Sequence, residues 1–244
     1  MGILDFIGIG GGVEGKLRRL QKKAMEKFGP PENRQGAIEE LGELRTEPAI
    51  EALLMRYTIR VDPGITDDEE KARVLAVIVQ SGAIALPAVR RFILSRDEIS
   101  WPLRALSDLL SEGEVVKFLV EVAHKVSSEY SRVPEKKVLL LHALLNHRAP
   151  EIVAAVLPFL EDMEDEVQIA AAEVVARQED PAGREPVIQH FLKAHETSNA
   201  RVREALAGVL AESAWDVKGY TPKVEAALPP AYKLDSKGKV QHKA

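Results

Sequence analysis

Apolar residues recur along this chain at helical spacing, and prolines mark where each group of them begins. Related segments are EPAIEALL at 47–54, LPAVRRFI at 86–93, APEIVAAV at 149–156 and EPVIQHFL at 185–192. A proline is tolerated in the first turn of a helix, where its missing N–H would have no partner in any case. The predicted helix starts are Pro48, Pro87, Pro150 and Pro186. A copy without proline fits the long gap at 112–122, with Glu114 in the proline's place.

A second set of amphipathic helices precedes the first. The clearest copies, at 165–178 and 199–213, align at an offset of 35 residues. Asp165 and Asn199 stand where the side chain that caps a helix N-terminus belongs. Earlier copies lie at 33–44, 68–82, 97–111 and 134–148. The chain therefore alternates two kinds of helix and predicts a row of helix pairs.

Such a pair cannot bury its apolar face alone, whereas stacked pairs bury one continuous core. The segments 41–54 and 165–192 are similar to HEAT repeats, in particular the short bacterial HEAT-like repeats of the PBS-lyase type. The resemblance covers roughly residues 33–215 and implies an all-α fold, an α-α superhelix or solenoid of about five to six helix pairs. A plain antiparallel bundle would show similar amphipathicity, but the recurring proline and the Asp/Asn-x-x-Val pattern favour the stack.

Changes in composition divide the chain into three segments. Residues 1–32 hold an apolar, glycine-rich start and a basic helix, residues 33–215 hold the repeats, and residues 216–244 form a basic tail with prolines and lysines. We expect the tail to be extended, partly disordered or laid along the last repeat. The stretch YKLDSKGKV at 232–240 predicts a short hairpin.

The segment GKLRRLQKKAMEKF at 15–28 predicts a basic amphipathic helix. Its apolar face holds Leu17, Leu20, Ala24 and Phe28. One interpretation is a cap over the open end of the stack. The other is peripheral attachment of residues 1–28 to an anionic membrane or an acidic partner, with GILDFIGI at 2–9 as an apolar insert. No uninterrupted apolar run approaches ~20 residues, so no membrane-spanning helix is expected.

Composition and charge narrow the function classes. The chain has no cysteine, which excludes disulfides and thiolate chemistry and fits a cytoplasmic protein. The net charge of −5 conceals basic ends, because residues 1–28 and 216–244 each hold six Lys/Arg against three Asp/Glu. The remaining body is acidic, so nucleic acid is not the expected partner.

Candidate catalytic chemistry is sparse. His142 and His147 are five residues apart, as are His190 and His195, whereas metal-binding pairs on helices prefer i,i+4 spacing. One HEAT-like family, the deoxyhypusine hydroxylases, binds a di-iron centre through several His-Glu pairs, and only His195-Glu196 matches that pattern here. We therefore expect no cofactor and no enzymatic activity.

Two acidic clusters stand at predicted helix starts, DDEE at 67–70 and EDMEDE at 161–166. Carboxylates at a helix N-terminus complement the helix dipole, which is a sufficient reason for both clusters. Neither has the spacing and central glycine of a calcium-binding loop.

The resemblance predicts a non-enzymatic scaffold or adaptor that holds another protein, by an acidic or extended segment, on its concave face. The second helices of such arrays line that face, and here they carry a basic strip. The candidate partner-binding residues are Arg56, Arg60, Arg90, Arg91 and Lys117. The alternative is a nucleic-acid-binding module similar to HEAT-like DNA glycosylases, which bind DNA through a basic concave face.

Overall fold

A computed structural model describes residues 9–128 and 134–243, and within those ranges the fold is all-α, as predicted. The helices and strands are α1 (Ile9–Ala24), α2 (Pro31–Leu44), α3 (Glu47–Leu54), α4 (Gly64–Gln80), α5 (Leu86–Ser95), α6 (Ser100–Leu109), α7 (Glu112–Val126), α8 (Glu135–Leu145), α9 (Pro150–Val156), α10 (Asp165–Arg177), α11 (Pro181–Glu196), α12 (Ala200–Glu212), α13 (Thr221–Ala227), β1 (Tyr232–Leu234) and β2 (Val240–His242). Short 3₁₀ segments follow three helices, at Met55–Thr58, Gly82–Ala85 and Leu157–Glu161.

The chain divides into two compact units, Met1–Ser111 and Glu112–Ala244. In the first unit α2 packs against α4 and α4 against α6, while α3 packs against α5. Helices thus contact the helix two places further along the chain, in two layers, which is the arrangement of stacked helix pairs. Helix α1 packs against α2 and α3, so it covers the first pair.

The second unit repeats this layering. Helices α8, α10 and α12 form one row, and α7 contacts α9 and α11 contacts α13 on the other side. The tail belongs to this unit, because α13 packs against α11 and the hairpin of β1 and β2 packs against α12. The two strands are antiparallel, with Lys233 opposite Gln241. The predicted hairpin is therefore present and lies on the last repeat.

The starts of α10 and α11 differ from the sequence prediction. Pro186 lies inside α11, which begins at Pro181, where Asp180 caps it by accepting a hydrogen bond from Ala182 N at 2.8 Å. Asn199 does cap α12, accepting from Val202 N at 3.1 Å. Asp165 instead forms part of α10 and accepts a hydrogen bond from Asn199 Nδ2 at 2.8 Å. A carboxylate that could have capped its own helix is used to link neighbouring pairs.

A buried ionic network lies within the first unit. The carboxylate of Glu70 accepts hydrogen bonds from Arg34 Nε at 2.9 and 3.0 Å and from Arg56 Nε and Nη2 at 3.0 and 2.9 Å. Arg56 Nη2 also donates to Asp67 Oδ1 at 2.7 Å, and Lys71 forms an ion pair with Asp67 Oδ2 at 2.7 Å. Burial opposes ionisation of Asp67, but the hydrogen bonds from Lys71, Arg56 and Val61 N outweigh it and lower its pKa. The network joins α2, the 3₁₀ segment after α3, and α4.

We expect Glu70→Gln to lower the free energy of unfolding by about 3 kcal/mol or more, because it leaves the buried guanidinium of Arg34 without a charged partner and that of Arg56 with Asp67 alone. The measurement is urea denaturation followed by circular dichroism. The matched control is Glu39→Gln, which removes an exposed ion pair with Arg73 and should cost less than about 1 kcal/mol. Equal, small losses for both variants would show that the network does not hold this unit together.

Candidate functional site

The structure does not place all five predicted partner-binding residues on the surface. Arg56 is 0% exposed, because it belongs to the buried network. Arg60 and Arg90 are exposed, and Arg91 is exposed with ion pairs to Glu47 and Glu51. The expectation of an accessible Arg56 is corrected. It fails because its partners, Asp67 and Glu70, come from the acidic cluster assigned to the helix dipole.

The fifth residue, Lys117, is exposed on α7 of the second unit, whereas the four arginines lie in the first. The partner-binding role of Lys117, Arg60, Arg90 and Arg91 stays a prediction.

A basic stripe lies along the outer face of α1. The helix packs through Leu20 and Ala24, which are buried. The stripe consists of Arg19, Lys22 and Lys23, which are exposed and related by i,i+3 and i,i+4 spacing. Within the described residues none of these three cations forms an ion pair. Lys22 and Lys23 also lie in the last turn of α1, where cations complement the helix dipole.

The other two cations of α1 do have carboxylate partners. Arg18 pairs with Glu14 at 2.5 Å, and Lys16 pairs with Glu40 at 3.7 Å. The stripe is therefore the part of the helix on which positive charge is left uncompensated.

The turn after α1 carries an exposed aromatic ring. The sequence predicted Phe28 on the packing face of a helix running to residue 28, but α1 ends at Ala24 and the side chain of Phe28 is 99% exposed. The backbone of the turn is held from the protein interior, because buried Arg34 donates from Nη1 to Glu26 O at 3.0 Å and to Gly29 O at 2.7 Å. Lys27, also exposed, precedes the ring. The predicted apolar insert at 2–9 lies outside the described residues, apart from the backbone of Ile9 in α1.

The second unit contains a cavity of about 450 Å³ at the ends of α8, α10 and α12. Its lining includes the carboxylates Glu173 and Glu212, the guanidinium of Arg177, and apolar Leu145 and Val209. The sequence analysis did not predict this cavity, because its lining comes from three helices far apart in the chain.

His190 is buried in the second unit, with 5% of its surface exposed. Gln168 Nε2 donates to Asp162 O at 2.6 Å, so Gln168 Oε1 faces His190 and accepts from its Nε2–H at 3.0 Å. The opposite ring nitrogen, Nδ1, has no hydrogen-bond partner among the described residues and lies 3.9 Å from Glu161 Oε1. Burial is the main cause that lowers the pKa of His190; Glu161 opposes the shift and Lys193 adds to it.

Metal ligands do not converge within the described ranges. No group of three or more His, Asp and Glu side chains there could hold a metal ion. His195, of the single His-Glu pair, is exposed and its Nδ1 lies 3.2 Å from Arg203 Nη1. His147 Nδ1 lies 3.4 Å from Glu112 Oε1. The described residues therefore do not fit a di-iron centre, which needs several carboxylate and imidazole ligands around one point.

Within residues 9–128 and 134–243, no single helix is both long and apolar enough to cross a membrane. Helix α4 and the segment Gly82–Ser95 reach the length and composition of a membrane-spanning segment only when they are taken together, and the pair is bent by 116°. Both contribute buried side chains to the first unit, including Val74, Ile78 and Val89.

Comparison with known proteins gives a distant structural likeness. No family model matches the chain, and no curated protein matches it significantly. Among solved structures, it is similar to human deoxyhypusine hydroxylase in complex with glycerol, at 15% identity and a TM-score of 0.33. The match covers 89% of this chain and 91% of the hydroxylase.

This neighbour contradicts two predictions made from the sequence. It is an enzyme, so the prediction of a non-enzymatic scaffold or adaptor, and with it the prediction of no enzymatic activity, is corrected and not carried forward. A likeness at this TM-score and identity does not transfer the hydroxylase's activity to this chain.

We expect the stability of the chain to depend on the protonation of His190. The pKa of His190 is lowered in the folded state. Its neutral imidazole therefore contributes to the free energy of unfolding above the unfolded pKa of about 6.5, and this contribution is lost as the pH falls through that value towards the folded pKa. Between about pH 7.5 and pH 5.5, parent protein should lose more stability than His190→Gln. Urea denaturation at both pH values measures this. His195→Gln, at an exposed position, should behave as the parent; equal pH dependence in all three proteins would contradict the expectation.

Proposed function

We propose that the chain binds peripherally to an anionic phospholipid surface through the outer face of α1. The observation that carries the proposal is the stripe of Arg19, Lys22 and Lys23, three neighbouring exposed cations without an ion-pair partner among the described residues. Cations on one face of a surface helix are attracted to anionic headgroups, at about 1 kcal/mol for each Lys or Arg close to the membrane.

The packing of α1 supports attachment without unfolding. The helix contacts α2 and α3 through the face that holds Leu20 and Ala24, so the opposite face is available while the cap stays in place. The two interpretations of the sequence, cap and membrane attachment, are therefore compatible. Attachment of this kind would serve an enzyme as well as a binding protein.

A membrane is favoured over a polynucleotide by the rest of the chain. Residues 29–215 are acidic in total, which disfavours the extended basic surface that nucleic acids require. A bilayer needs only a local contact, and the turn that follows α1 carries the exposed apolar side chain of Phe28. The predicted cytoplasmic location is consistent with this, because the cytoplasmic leaflet carries the anionic lipids.

We further propose that the stacked helix pairs belong to the HEAT-like class that the sequence resembles. The support is the packing of each helix on the helix two places along the chain within each unit. In this arrangement α1 is the capping element at the start of the array, which explains why one of its faces is apolar and the other polar.

The test is co-sedimentation with vesicles of phosphatidylcholine containing about 30% phosphatidylserine. We expect Arg19→Gln, Lys22→Gln and Lys23→Gln together to weaken binding roughly a hundredfold, because about 3 kcal/mol of headgroup attraction is removed. Binding by the parent should also weaken as salt is added, since exposed charges are screened.

The matched control neutralises three exposed lysines of the second unit, by Lys223→Gln, Lys233→Gln and Lys237→Gln. It has the same change in net charge and should bind as the parent does. Equal losses in both triple variants would mean that net charge, and not the stripe, drives binding. The proposal would be refuted if the parent protein did not bind anionic vesicles, or if it bound duplex DNA or RNA instead.

A further inference from the structure

Phe28 is the most exposed of the large apolar side chains in the described part of the chain, at 99%, ahead of Met163 at 78%. A single exposed apolar residue needs no explanation by itself. Phe28 differs because it follows Lys27 and lies four residues beyond the end of α1, the helix that carries the basic stripe. An aromatic ring beside a group of cations is the combination found where helices lie in a membrane interface.

The backbone that carries the ring is held in place by the protein interior. Arg34 is 2% exposed, and its Nη1 binds the carbonyl oxygens of Glu26 and Gly29, on either side of Phe28. Its Nε is bound in turn to the buried carboxylate of Glu70. Beyond the turn, Pro30 and Pro31 restrict the backbone further. The ring is therefore presented on a fixed support, which reduces the ordering cost of binding.

We infer that Phe28 is an apolar anchor that inserts its ring into the boundary between headgroups and acyl chains of the anionic bilayer, while the stripe contacts the headgroups. The inference rests on the function proposed above and adds a second, uncharged component to it. Arg34 holds the turn and does not itself reach the surface.

The two components predict different responses to salt. Neutralising the stripe should reduce the salt dependence of vesicle binding, because fewer charges are screened. Phe28→Ala should leave that dependence unchanged and weaken binding about tenfold at every salt concentration, because an apolar contact is lost. Met163→Ala, which removes an exposed apolar side chain of the second unit, is the matched control and should bind as the parent.

Insertion itself is tested by Phe28→Trp. With the fluorescence of the parent, which has two tryptophans, subtracted, the new indole should shift to shorter wavelength on anionic vesicles and be quenched by lipids brominated in the acyl chains. Met163→Trp should show neither change.

The outcomes separate the inference from the function on which it rests. If the stripe variant loses binding but Phe28→Ala binds as the parent and the indole at position 28 is not quenched, the anchor is refuted and the electrostatic attachment stands. If the parent does not bind vesicles, both are refuted. Quenching at position 28 together with a salt-independent tenfold loss in Phe28→Ala would establish the anchor.

Discussion

One carboxylate shared by two buried guanidinium groups organises the first unit. Glu70 accepts four hydrogen bonds from Arg34 and Arg56, and the two arginines come from α2 and from the 3₁₀ segment after α3. A charge removed from water is tolerated only when it is paired and its hydrogen-bonding capacity is used. A shift of α4 against either neighbour would leave at least one charge without its partner. Apolar packing would allow several similar arrangements of these helices, whereas this contact favours one.

The same contact determines what the surface presents after α1. If α1 continued, the carbonyls of Glu26 and Lys27 would need N–H donors four residues on, at positions 30 and 31, and both are prolines without an N–H. The helix cannot continue through Pro30 and Pro31; it ends at Ala24, and Arg34 supplies a donor to Glu26 O from the protein interior. Phe28 lies between the two carbonyls held by Arg34, and its side chain is 99% exposed.

Local patterns in the sequence were sufficient for α2 to α12 and their order, but not for α13, which lies in the tail where no helix was predicted. The prolines at 48, 87 and 150 fall within the first residues of α3, α5 and α9, because a helix start is a local property of the chain. Pro186 was a wrong prediction of a helix start because it is the sixth residue of a helix that had already begun after Asp180. Periodicity fixes which side chains share a face, but it does not fix where the helix stops, and so Phe28 was assigned to the wrong environment.

The burial of Arg56 shows a second limit of prediction from the sequence. Its burial depends on carboxylates 11 and 14 residues further on and on Arg34, 22 residues earlier, and no single helix contains this set. From sequence alone, an arginine beside apolar residues is interpreted as a surface residue unless its partners are known, because an unpaired arginine is almost never buried. The DDEE cluster at 67–70 was the available signal: Asp67 and Glu70 point inward while Asp68 and Glu69 are exposed. The helix dipole favours a carboxylate at each of the positions 67–70, so it does not predict which of these side chains are buried.

The charge of α1 favours one orientation of this helix at an anionic membrane. The basic stripe belongs to a chain whose central 29–215 are acidic in total. In the proposed attachment, an anionic surface attracts the stripe, and this force turns the outer face of α1 towards the lipid. Attraction of this kind acts over about one Debye length, some 8–10 Å in physiological salt, and orients the chain before contact. A short-range apolar contact then slows dissociation without contributing to orientation. A rigid turn is suited to that second task, because a ring that is already positioned needs little further ordering to bind.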